Sequence, residues 1–138
     1  SPPYSENWDK GLLEQDGIEW LGSLNPKRLK QEQLKAEYWI YHSDYLETYC
    51  ITAVEMMLAK VKLLTNGAGN IKNIIDKGGR GMIIGDNPAT IKEYLMRDVN
   101  DKTFARKWSK QTDKAYKWAV KQTWNTRVND WLNLINTL

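Results

Sequence analysis

The chain is poor in the side chains that carry most protein chemistry. Its 138 residues include one cysteine, Cys50, and one histidine, His42. A lone cysteine excludes an intramolecular disulfide, and the two residues offer no Cys/His cluster with zinc-ligand spacing. Without a second histidine, neither a Ser/His/Asp nor a Cys/His catalytic set is supported. Asp44, Glu37 and Glu47 lie near His42, but its i±4 neighbours are Leu46 and Tyr38, which are not ordinary metal ligands. A satisfied or solvent-facing histidine is therefore expected, with no metal, cofactor or catalytic residue. Cys50 sits in Tyr49-Cys50-Ile51-Thr52-Ala53-Val54, which reads as buried helix and favours a reducing compartment. No run approaches the roughly 20 apolar residues of a membrane span, and no signal peptide is visible. The first residue is Ser1, not Met, so a processed or trimmed product is expected.

Phenylalanine is almost absent too, one residue against seven tryptophans and seven tyrosines. Trp and Tyr combine a large apolar area with one polar handle, which suits helix seams and subunit contacts. At 41% hydrophobic and 27% charged, the chain falls in the globular range and can bury one core. The net charge of +3 is uneven: residues 1–25 carry −4, residues 26–99 carry +2 and residues 100–138 carry +5. An acidic head and a basic tail suit either a phosphate-bearing partner or head-to-tail docking between copies.

Pro2 and Pro3 forbid a helix at the start, so residues 1–7 read as an extended arm, followed by a short helix over Trp8–Leu21. Asn25-Pro26 is a helix start, an N-cap residue followed by Pro at the first helical position. From there Trp39, His42, Leu46, Cys50, Ala53, Met57, Val61 and Leu64 recur at three- and four-residue spacing up to the Asn66-Gly67 pair. The spacing predicts one long helix over Pro26–Thr65, with Tyr38, Tyr41, Tyr45 and Tyr49 as a second aromatic row and a candidate interface. Residues 67–88 read as a Gly-rich connector. Within it, Lys77-Gly78-Gly79-Arg80-Gly81 resembles a phosphate loop but lacks a Walker pattern and a preceding strand, and a plain connector is the expectation. Asp86-Asn87-Pro88 starts another helix, and Asn100-Asp101 caps a last one predicted over Lys102–Asn136. Trp124 and Trp131 on its stripe are expected to be buried, in the core or against a neighbouring subunit. The resulting architecture is all-α, an acidic segment over 1–25 and a helical bundle over 26–138, with two long helices and two or three short ones.

Lys107, Lys110, Lys114, Lys117 and Lys121 form a ridge along the last helix, with Arg106 as a further basic candidate beside it. Lys27, Arg28, Lys30 and Lys35 make a second basic face at the start of the first long helix. Lysine-rich ridges neutralise phosphates without reading bases, so these ten residues are the candidate nucleic-acid contacts.

The Pro-containing arm, one very long helix, the Gly-rich connector and the Trp/Lys C-terminal helix together resemble a major coat protein of filamentous archaeal viruses. The resemblance lies in layout and composition. It implies a non-enzymatic structural subunit, in a virion or the host cytoplasm, that assembles with itself or a paralogous subunit around double-stranded DNA. Two other readings stand beside it: a small helical inhibitor or adaptor using the Tyr/Trp surface, and an enzyme or ligand binder with a pocket among the aromatics.

Overall fold

The computed structural model describes Gly11, residues 14–85 and residues 87–137. The arm expected over residues 1–7 lies outside this set, as does the first part of the short helix expected over Trp8–Leu21; residues 14–21 are turn and irregular chain.

The architecture is α/β, not the expected all-α bundle. Helix α1 (Pro26–Lys35) is followed by strand β1 (Tyr38–Tyr41), helix α2 (Ile51–Leu58), strand β2 (Lys62–Thr65) and a short helix α3 (Ile71–Ile74). After a 3-10 turn at Asp76–Gly78 come strand β3 (Met82–Ile83), helix α4 (Pro88–Asn100), helix α5 (Lys102–Ala119) and helix α6 (Trp124–Ile135). The three strands form one parallel sheet in the order β1-β2-β3.

The predicted helix over 26–65 is thus four elements. Its start is as expected: Asn25 Oδ1 accepts from Arg28 N at 2.9 Å, with Pro26 opening the helix. The helix stops at Ala36, which turns extended, because Tyr38-Trp39-Ile40-Tyr41 is aromatic and β-branched and fits a pleated sheet. β1 then pairs with β2 in the register Tyr38–Lys62, Trp39–Leu63, Ile40–Leu64 and Tyr41–Thr65. Parallel strands need a long crossover, and residues 42–61 supply it through α2.

Strand periodicity sorts the core into two layers. Trp39, Tyr41 and Leu63 pack on one face of the sheet with Cys50, Ala53, Met57, Ile71 and Ile75. Tyr38, Leu64 and Met82 pack on the other with Phe104, Trp108, Tyr94 and Leu95. Helix α5 joins both layers, through Phe104 and Trp108 in its first half and Ala115 and Ala119 in its second. A sheet covered on both faces reads as short continuous apolar runs, which a 3.6-residue template also accepts.

The Gly-rich segment is a built crossover and not a loose connector. Gly81 lies so close to β2 that an added Cβ would sit 3.1 Å from Leu63 Cβ. In the Lys77–Gly81 stretch Arg80 is engaged by the fold: its Nε and Nη2 donate to the Ile74 and Asn73 carbonyls at 2.8 and 3.0 Å, and its guanidinium lies 4.3 Å from the Trp118 ring centroid.

The C-terminal helix expected over 102–136 begins as predicted, with Asp101 Oδ1 accepting from Thr103 N and Phe104 N. It breaks at Val120–Thr123, where the Thr123 hydroxyl caps a new helix by accepting from Thr126 N at 3.2 Å. Helix α6 buries no residue in this chain, and Trp124 and Trp131 are 86% and 65% exposed, against the expectation of burial in the core. Among the described residues, no helix is long and apolar enough to cross a membrane, and no group of His, Cys, Asp and Glu is arranged to hold a metal ion.

Candidate active site

In open parallel sheets, ligands bind outside the carboxyl ends of the strands, in a crevice where the strand order reverses. The order β1-β2-β3 has no reversal among the described residues, and its carboxyl edge is called the crevice below. Here that edge is formed by residues 42–50, between β1 and α2, and residues 66–70, between β2 and α3.

The two segments are locked to each other. Asn66 grips the backbone of Ser43 from both sides, accepting from its N–H at 3.4 Å and donating Nδ2 to its carbonyl at 2.9 Å. Asn70 does the same further along: its N–H donates to Glu47 O at 2.7 Å and its Nδ2 to Thr48 O at 2.7 Å. Between them Gly69, at φ +61°, lets the chains touch, since an added Cβ would lie 2.6 Å from the Glu47 nitrogen.

This clamp fixes the backbone of Glu47, whose carboxylate oxygen Oε1 accepts from the Tyr41 hydroxyl at 2.7 Å. Burial, and then the bond to Glu47, push the Tyr41 phenol above its ordinary value, so it stays a donor through the neutral range. Four residues on, α2 begins at Ile51. Cys50 makes no side-chain cap bond there, although its carbonyl accepts from Ala53 N at 3.1 Å and its sulfur lies against the Thr52 and Ala53 N–H groups. Burial raises the Cys50 thiol, keeping it protonated and unsuited to nucleophilic work. Exposed Tyr45, Leu46 and Tyr49 flank the crevice.

The opposite, amino end of the sheet holds a second polar group. Asp98 of α4 accepts through Oδ2 from the Tyr38 hydroxyl at 2.6 Å and from Lys62 Nζ. Lys62 also reaches Glu37 Oε1 at 3.3 Å and lies 5.1 Å from the Tyr38 ring centroid. The Asp98 side chain is 3% exposed, and its Oδ1 and the nearby Trp108 Nε1 are buried without a hydrogen bond. Burial first, and then Asp98, hold the Tyr38 phenol far above its ordinary range. This group ties α4 to β1 and β2; Asp98 is enclosed, while Glu37 and Lys62 border an open groove beside α5.

The tyrosine row expected on one helix face is dispersed accordingly: Tyr38 and Tyr41 point to opposite faces of β1, while Tyr45 and Tyr49 lie in the crevice loop. Trp124 joins Tyr49, Ile51, Val54 and Leu58 around an open groove of about 400 Å³ beside α2. Of the expected nucleic-acid contacts, Lys27, Arg28, Lys30 and Lys35 are exposed on α1, where Arg28 and Lys35 share the Glu32 carboxylate at 2.7 and 3.1 Å. Arg106, Lys107, Lys110, Lys114 and Lys117 are exposed along α5, and Lys121 in the turn after it. None of the ten belongs to the crevice segments.

A family model described as glycosyl transferases group 1 matches residues 4–115. The chain belongs to that family. The match covers the whole sheet and both crevice segments and ends before α6. No curated protein matches the chain. Membership of a transferase family overturns the coat-protein resemblance, which rested on layout and composition alone. It also overturns the expectations of a non-enzymatic, DNA-packaging, filament-forming subunit, and it lends no support to the inhibitor or adaptor reading. The family indicates an enzyme.

The sequence reading missed Glu47, Asn66, Gly69 and Asn70. The available signal was Asn66-Gly67-Ala68-Gly69-Asn70 directly after an apolar run, a turn pattern that suits the end of a strand as well as the end of a helix.

Proposed function

We propose that the crevice holds the activated donor of a glycosyl transfer, a sugar linked at its anomeric carbon to a phosphate leaving group. The observation that carries this reading is the single clamped loop that presents both the Glu47 carboxylate and the start of α2.

Glycosyl transfer breaks the bond from the anomeric carbon to the phosphate oxygen and forms one to an acceptor oxygen. Negative charge grows on the departing phosphate. The backbone N–H groups and dipole at the start of α2 favour an anion there, and they are set before the reaction begins. Glu47 cannot face that phosphate without repulsion. It faces the sugar, where an ionised carboxylate accepts hydrogen bonds from hydroxyl groups and sets the sugar's orientation. Tyr45 and Tyr49 offer apolar ring faces at the mouth of the site.

Calorimetric titration with a panel of nucleoside diphosphates and nucleotide sugars tests this. Saturable binding in the range of about 1 μM to 1 mM is expected for at least one nucleotide sugar. Glu47→Gln should weaken that nucleotide sugar by about tenfold, the scale of a charge-assisted hydrogen bond, and the matching nucleoside diphosphate less. Absence of saturable binding across the panel would refute the reading.

A further inference from the structure

We propose that Tyr41 is a positioning residue for sugar recognition, fixing through its hydroxyl how the Glu47 carboxylate is offered to the donor. This rests on the crevice being the donor site.

The side chain of a glutamate on a loop has several open rotamers, and a clamped backbone alone does not choose among them. Here the choice is made by β1. Its period of two places Trp39 and Tyr41 on the same face, where their rings stack at 5.0 Å with 9° between planes and pack on the core layer below. The stacked ring carries its hydroxyl to Glu47 Oε1 at 2.7 Å, with the Ser43 side chain also beside it. Tyr41 is the last residue of β1, so its ring is anchored in the sheet while its hydroxyl reaches the crevice loop. Tyr41 engages Oε1 and the Cys50 thiol also lies against the Glu47 carboxylate, which keeps unused lone pairs for a sugar hydroxyl. The carboxylate is held in one orientation before the ligand arrives, which is the arrangement that gives specificity at least entropic cost. Phe at position 41 would fill the same space and donate nothing.

A double-mutant cycle on the whole chain separates positioning from packing. Binding of the nucleotide sugar identified above is measured for wild type, Tyr41→Phe, Glu47→Ala and the double variant, with thermal midpoints recorded for all four. Tyr41→Phe should weaken the nucleotide sugar by about tenfold in the wild-type background and by less than about twofold when Glu47 is already Ala. An equal loss in both backgrounds would mean that Tyr41 acts through packing and would overturn the proposal, as would no loss in either. If a variant melts several degrees lower, the cycle is read below every midpoint by the same criterion. Wild-type binding with an uncoupled cycle removes this proposal alone; no wild-type binding removes the donor-site reading and this proposal with it.

Discussion

Tyr38 and Tyr41 stand three residues apart on one short strand, and each donates its hydroxyl to a carboxylate, Asp98 at 2.6 Å and Glu47 at 2.7 Å. The two pairs are chemically alike and do different work. Tyr38–Asp98 lies at the amino end of the sheet, enclosed by α4 and α5, with Lys62 neutralising the acid. Tyr41–Glu47 lies at the carboxyl end, itself half-buried beside a mostly exposed loop, with no cation bonded to its acid among the described residues. In the buried pair Asp98 Oδ2 is committed to Tyr38 and Lys62, while Oδ1 is enclosed without a hydrogen bond. An open pair keeps an acceptor for something outside the chain. The end of a parallel strand at which a carboxylate sits decides which of these it becomes.

The largest effect should come from the closed end. Asp98→Ala leaves Lys62 partly buried with only Glu37 in reach, and breaking such a pair costs about 3–5 kcal/mol. Urea unfolding should show this loss, and a change below about 1 kcal/mol would place the Lys62 charge in water and erase the contrast between the two ends.

At the open end, stability and binding should come apart. Gly69→Ala forces a Cβ into the Glu47 backbone at a positive φ, with a cost of about 1–3 kcal/mol. Because the crevice loop must shift to admit it, nucleotide-sugar binding should fall by more than the stability loss explains when both are measured at one temperature well below the midpoint. Wild-type affinity in a folded Gly69→Ala chain would show that the clamp does not shape the site.

The smallest effect is in alkali. Both phenols are raised above the ordinary value of 10.0 by burial and by their carboxylates. Above pH 10 the unfolded chain releases these protons while the folded chain keeps them, so stability present below pH 10 declines as pH rises. The slope is at most about 1.4 kcal/mol per pH unit for each tyrosine. Tyr38→Phe should flatten the decline more than Tyr41→Phe, since Tyr38 is the more strongly raised of the two. Equal slopes in the two variants would mean that both hydroxyls feel the same surroundings.

Local signals in the sequence determined the starts of α1, α4 and α5 and the solvent-facing side of α5. Asn25-Pro26, Asn87-Pro88 and Asp101 cap helices where their side chains predict, because a cap needs only an acceptor within three residues of an open N–H. The stripe of Phe104, Trp108 and Ala115 is buried and the lysines opposite are exposed, because one helix turn sets both. Sequence also excluded a disulfide. The tertiary structure decided the rest. Tyr38–Tyr41 and Lys62–Thr65 are too short for their period to separate strand from helix, and their hydrogen bonds go to partners twenty-four residues away. Trp124 and Trp131 share an apolar stripe yet stay exposed, because amphipathicity marks a face that could be covered and does not supply the cover. Glu47 is one carboxylate among many in the sequence. Its phenol donor and the start of α2 lie six and four residues away in the chain, but its fixed backbone comes from Asn70 on the loop after β2, a non-local contact that no local pattern encodes.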